Sequence, residues 1–231
     1  MSKEIYKVFR PKTKQEWLAN RHIGGSDASS ILHCNPWQSK LELWEKLYYQ
    51  RTKPEAQDEE DNTNELMELG TKYEPLIRAE FSLMHPELVI KNPPSHNWIF
   101  LRKDKEYMSA SVDGLATNQE TKERAIIEIK FHKVRSNGDA NEWESGNIPQ
   151  NYYIQCLHYL LVTGYDLVYF VPKLVFYKYP ENTFKYSKLL EFKIYRKDVK
   201  EDLKILEQAE EDFYNLNILK GEIPEVKLFT N

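Results

Sequence analysis

Three side chains in two short runs could do chemistry together: Asp113 in SVDG, and Glu128 and Lys130 in IIEIK. In an extended strand successive side chains alternate faces. Glu128 and Lys130 therefore point the same way, about 7 Å apart along the strand, while Ile127, Ile129 and Phe131 point to the opposite, apolar side. In this reading Asp113 ends the preceding strand. If a hairpin joins the two strands, its carboxylate arrives beside Glu128 and two acids converge on one side of a sheet. Paired carboxylates repel unless a cation intervenes. Magnesium suits them, because it takes carboxylate, carbonyl and water oxygens and keeps waters that can attack a phosphate. A neighbouring lysine adds positive charge against a developing phosphorane and orients or deprotonates the attacking water. The pattern fits metal-assisted phosphodiester hydrolysis. On spacing alone it fits an ordinary surface ion pair as well, since Asp, Glu and Lys on strands commonly pair.

Other elements must position and cover these residues. NWIFLR, EYMSASVDG and RAIIEIKFH are β-rich runs broken by Gly, Asn and charged residues, which predicts a meander of strands. Ahead of them, Thr13 and Glu16 have the capping-box spacing of a helix reaching to about Asn20. In IGGSDASSIL, Gly24 and Gly25 permit a tight turn, and Ser26 or Asp27 can cap a short helix whose first amides face an anion. Pro36 should end that helix and Ser39 cap the next, LELWEKLYYQ. Leu66, Leu69, Tyr73, Leu76, Ile77 and Met84 recur at helical spacing, and Pro75 should kink or interrupt the segment unless it falls in a first turn. Beyond the strands, a helix from Pro149 to Thr163 ends at Gly164. LVYFVP and LEFKIY read as strands, and Val199 to Leu219 as a closing helix before Gly221. No repeat or long linker divides the chain. Residues 1–231 read as one domain of α/β (α+β) class, a central mixed sheet flanked by helices.

Composition narrows the classes further. At 231 residues and 41% hydrophobic content the chain can bury a sizeable core. Its mean hydropathy is -0.69, and no apolar run approaches the ~20 residues that cross a bilayer, so no membrane association is expected. MSKEIYKVFRPKTKQEW has no apolar secretory region, which predicts a cytoplasmic location, that of a bacterial host cell if the chain is phage- or prophage-encoded. A net charge of -4 argues against coating nucleic acid through bulk positive charge. It is compatible with a nuclease, which clusters carboxylates for metal and can confine its Lys and Arg to one channel. The run Glu55, Asp58, Glu59, Glu60 and Asp61 reads as a solvated loop. Cys34 and Cys156 read as buried free thiols, and His22, His33, His132 and His158, which show no ligand spacing, as surface or core histidines.

SVDG followed by IIEIK resembles the PD-(D/E)xK nuclease core, and the blocks around it resemble the YqaJ-type viral recombinase branch, to which lambda exonuclease belongs. RHIGGSDASSILHCNPWQSKLELWEK is similar to that family's Gly-Gly-Ser-Asp turn and Leu-Glu-Leu-Trp helix. ELGTKYEPLIRAEF is similar to its Gly-Thr-x-x-Glu-Pro helix, and YYIQCLHYLLVTGYDLVYFV to its Tyr-x-x-Gln helix entering a Val-Thr-Gly turn and strand. The blocks run in the family's order from about Arg21 to Val171, most of the chain.

The resemblance implies a restriction-endonuclease-like core and a role for each matching residue. Asp113 and Glu128 match the metal-binding acids, Lys130 the catalytic lysine and Glu74 a helix-borne acid completing the metal site, with the Ile129 carbonyl as a further ligand. Gln155 matches a glutamine beside the active site, and Tyr152 and Tyr159 share its helical face as core or contact residues. Ser26 and Ser111 match phosphate contacts, and Arg21 offers a guanidinium fork for a 5′-phosphate. Two positions depart from the pattern: Val112 stands where a proline is usual before the first acid, and Leu157 where a second glutamine is usual. The first loses turn rigidity rather than chemistry. The second puts in doubt how fully the helix contacts substrate.

What the resemblance implies overall is a Mg2+-dependent 5′ to 3′ exonuclease, with Mn2+ substituting. It would act on double-stranded DNA ends, release mononucleotides and leave a 3′ single strand for an annealing protein, as a ring-shaped homotrimer. Rival readings are a PD-(D/E)xK endonuclease or flap-processing nuclease, and a catalytically retired DNA-binding or interaction module.

Overall fold

The computed structural model describes residues 4–13, 16–17, 20, 22–52, 65–92, 98–178, 181 and 183–225. Arg21, the acidic run from 55 to 61 and most of the helix expected up to Asn20 lie outside them. Of that helix start, Thr13 Oγ1 accepts the Glu16 amide at 3.1 Å.

Nine strands form two sheets among the described residues. A small antiparallel sheet has the order β1 (Tyr6–Phe9), β3 (Ile99–Arg102), β4 (Ser109–Ala110). The larger sheet runs β2 (Leu88–Lys91), β5 (Gly114–Asn118), β6 (Arg124–Lys133), β7 (Leu167–Lys178), β8 (Thr183–Leu189), with β9 (Phe192–Tyr195) also on β7. The expected meander is thus divided: Ile99–Arg102 and Ser109–Ala110 belong to the small sheet, while Gly114–Asn118 turns back against β6. β6 and β7 are parallel and all other neighbours are antiparallel, so the sheet is mixed. A parallel pair needs a long crossover, and here it contains α4 (Asn137–Glu144) and α5 (Gln150–Thr163).

Strand alternation divides the core. Ala125, Ile127 and Ile129 of β6, with Leu167, Tyr169 and Val171 of β7, pack against Ile77 and Phe81 of α3 (Glu65–Met84). Ile126, Val168, Phe170 and Leu174 face the other way, against α4, α5 and Leu203 and Leu206 of α6 (Lys200–Asp212). Both faces are covered, which is why LVYFVP reads as an unbroken apolar run. Fully burying side chains of this size contributes about 1.5–3 kcal/mol each.

Several local expectations change. α3 continues through Pro75; the proline lacks an amide to donate, yet Ile77 and Phe81 hold the following turns on the sheet. Leu76 and Met84 are exposed, and Phe81 is buried in their place. Gly24, rather than Ser26 or Asp27, caps α1 (Gly25–Ile31), and Asp27 reaches back to accept the Gly24 amide at 2.9 Å. Ser39 and Glu42 cap α2 (Lys40–Thr52) reciprocally: Ser39 Oγ accepts the Glu42 amide at 3.2 Å, and the Glu42 carboxylate accepts the Ser39 amide at 2.7 Å. Gly164 closes α5 at φ 67°. The closing helix is α-helical to Asp212 and then winds as a π-helix over Phe213–Leu219.

Candidate functional site

Asp113 does not end a strand; it opens β5. The β5–β6 hairpin pairs Gly114 with Ile127, so Asp113 falls opposite Glu128. Asp113 Oδ2 accepts the Ile129 amide at 2.7 Å, which fastens the acid to the neighbouring strand. Glu128 and Lys130 share the α5 face of β6, and their charged ends are much closer than their Cα atoms: Lys130 Nζ reaches Glu128 Oε1 at 2.6 Å. From α5, Gln155 Nε2 donates to the same Oε1 at 2.8 Å and to the Tyr159 hydroxyl at 2.7 Å. Glu128 is only 2% exposed, and among the described residues its Oε2 has no hydrogen-bond donor.

The electrostatics follow from this burial. Desolvation first, then the Asp113 charge, push the Glu128 carboxyl up to about 8 against the pull of Lys130. Asp113 is also raised, chiefly by desolvation, despite Lys130 and the Ile129 amide. Burial disfavours the Lys130 ammonium, but Glu128 and Asp113 outweigh it and hold the lysine protonated.

Glu74 approaches from α3. Its carboxylate pairs with Arg78 one turn on, and Arg78 Nε donates to the Asp113 carbonyl at 2.8 Å, so the guanidinium joins the two acids. Among the described residues no three His, Cys, Asp or Glu side chains close around one point as they stand. The Arg78 pair engages Glu74 Oε1, so Oε2 is the oxygen that Glu74 would offer as a third ligand. The donor chemistry nevertheless fits a hard divalent cation: two facing carboxylates, of which Asp113 raises the proton affinity of Glu128, and a buried carboxylate oxygen that has no donor among the described residues.

The remaining predicted residues divide. Ser111 is half-buried two positions before Asp113. Ile129 turns its side chain into the α3-side core. Ser26 is exposed in α1, beside the closest packing of the site: a Cβ on Gly25 would lie 2.5 Å from Tyr159 Cε1 and 2.9 Å from Gln155 Cγ. Only glycine lets α1 approach α5 so closely. Sequence reasoning missed Arg78, although its i,i+4 spacing from Glu74 was a usable signal. It also left Tyr159 unassigned between core and contact.

This arrangement of a β-hairpin acid pair, an x-spaced lysine and a buried helix glutamine agrees with residues 16–166 matching the YqaJ-like viral recombinase domain. The chain belongs to that family. Over 216 residues it is 31% identical to the uncharacterized protein YqaJ of Bacillus subtilis strain 168, covering 92% of this chain and 59% of that protein. The chain thus spans less than two thirds of the length of this relative. The fold resembles that of the alkaline exonuclease LHK-Exo from Laribacter hongkongensis, with TM-score 0.54 and 18% identity over 90% of this chain and 98% of that one. In its complex with dAMP the same exonuclease gives 0.55 and 17% over the same shares. A phage-related exonuclease from Haemophilus somnus 129PT gives 0.52 and 13%, over 87% and 96%. At such identities the likeness speaks for the fold: a mixed sheet flanked by helices, as the sequence implied.

Proposed function

We propose that this chain is a metal-dependent deoxyribonuclease of phage-recombination type, degrading linear duplex DNA 5′ to 3′ to mononucleotides and leaving a 3′ single strand. The observation that carries this reading is the meeting of buried Glu128 with half-buried Asp113: Lys130 and Gln155 engage one Glu128 oxygen, and among the described residues the other, Oε2, has no hydrogen-bond donor. The family of viral recombinases and the exonuclease folds of its neighbours support the same reading.

Asp113, Glu128, Glu74 and the Ile129 carbonyl would hold Mg2+, with Mn2+ substituting. Bound there, the ion supplies Lewis-acid polarisation of the phosphate and an acidified water. Gln155 occupies Glu128 Oε1 and leaves Oε2 to face a ligand. Lys130, held protonated by the acids, acts as a donor that orients the attacking water and offsets charge on the phosphorane. Ser26 and Arg21 are assigned to the terminal 5′-phosphate and Ser111 to another phosphate. A homotrimer and a single-strand annealing partner complete the proposal from the family's pattern.

The deciding experiment is Mg2+-dependent digestion of a linear duplex labelled separately at each end, with and without a 5′-phosphate, beside a closed circle. Release of label from the 5′ end with the circle intact is expected. Digestion of the circle would favour an endonuclease, and inertness in both Mg2+ and Mn2+ a binding module.

A further inference from the structure

Trp37 is 72% exposed in the short segment between α1 and α2, an unusual setting for the largest apolar side chain. Its backbone is tied down. Asn35 Oδ1 accepts the Trp37 amide at 2.9 Å, Asn35 Nδ2 donates to the Ser26 carbonyl at 3.1 Å, and Ser30 Oγ donates to Gln38 Oε1 at 3.3 Å. The segment is thereby tied to α1, which Gly25 seats against Gln155 and Tyr159. The Trp37 ring lies 6.2 Å from that of Tyr152, and the Lys130 ammonium lies 5.3 Å from the Tyr152 centroid. One tyrosine therefore separates the exposed indole from the lysine that pairs with Glu128.

Resting on the nuclease reading above, we infer that Trp37 and Tyr152 form a stacking platform for an unpaired nucleobase at the DNA end. An aromatic face accepts any base, so such a platform adds affinity without sequence preference. The segment that carries the ring is tied down before binding, so little backbone freedom is lost on contact. A base stacked on Trp37 lies one side chain away from the group that acts on the phosphate, which is where a strand end must be held for single nucleotides to be removed.

The test uses the full chain and two linear duplexes, one natural and one with abasic residues replacing the last base pair. Binding is measured in a Lys130→Ala background and turnover with Lys130 intact. Trp37→Ala should weaken binding and raise KM for the natural end about tenfold, with little change for the abasic end. Trp37→Phe should restore most of the loss. If Trp37→Ala leaves natural and abasic ends distinguished as in the wild type, the platform is overturned and the exposed indole is left as a protein contact. A wild-type protein that cuts no DNA in Mg2+ or Mn2+ would instead overturn the nuclease reading, and the platform with it. Exposure of Trp37 keeps the fold out of the comparison, and equal melting temperatures would verify this.

Discussion

Glu128 carries opposing demands: it is buried beside another acid, yet its carboxylate is what a cation would bind. Its folded-state proton affinity is raised from 4.5 to about 8. A raised acid favours the folded state while it is protonated, so this contribution is present below pH 4.5 and is lost as pH climbs through about 8. Metal-free protein should therefore melt lower at pH 8.5 than at pH 6. Added Mg2+ should raise Tm more at the higher pH, by roughly 2–4 °C for each kcal/mol of binding. Glu128→Gln should raise the metal-free Tm at pH 8.5 and abolish the Mg2+ response; a response retained in that variant would remove Glu128 from the site. Lys130→Ala should lower kcat on the order of a hundredfold or more while DNA binding persists, and unchanged turnover would refute its role. That Asp113, Glu128 and Lys130 come together was legible in the sequence because strand alternation and hairpin register are local rules. The Arg78 bridge and the Tyr159 hydroxyl were not, since each acquires its partner only when helix and sheet pack.

Among the helices, α5 has to be buried on nearly every side while carrying polar groups. From Ile154 to Thr163 every residue is buried, and the polar ones are satisfied within the fold. His158 Nδ1 meets Glu210 of α6 at 2.8 Å, and its Nε2 meets the Ser109 carbonyl at 2.9 Å. Burial opposes the imidazolium, but Glu210 and the carbonyl raise its proton affinity overall. This pair therefore stabilises most at low pH, and its contribution fades as pH rises through the raised histidine value. His158→Ala should cost about 3–5 kcal/mol by stranding Glu210, and its Tm should vary less with pH than that of the wild type. Gly25→Ala should cost about 1–3 kcal/mol by overpacking against Tyr159 and should lower turnover by displacing Gln155; an active, equally stable variant would show that the contact relaxes. The helices with end signals, Ser39 with Glu42 and Gly164, were readable in advance. β1, β2, β8 and α4 were not, because short segments of four to eight residues gain their structure from neighbours rather than from periodicity.

Across the whole molecule, both faces of the large sheet are covered, yet α3 leaves Leu76 64% and Leu83 85% exposed. Apolar side chains on one helix are what a homo-oligomer would cover. Light scattering should give a trimer mass, and Leu83→Arg should reduce it; a monomeric wild type would end the trimer proposal. Calorimetry should show one cooperative transition if residues 1–231 act as a single domain, and two separated transitions would divide them. Glu210 lies late in the chain, yet it secures α5, the helix that steadies Glu128 through Gln155. During synthesis at the ribosome, the hairpin acids emerge well before this clamp. If the proposed nuclease activity holds, a growing polypeptide should therefore lack an ordered site until α6 has left the exit tunnel.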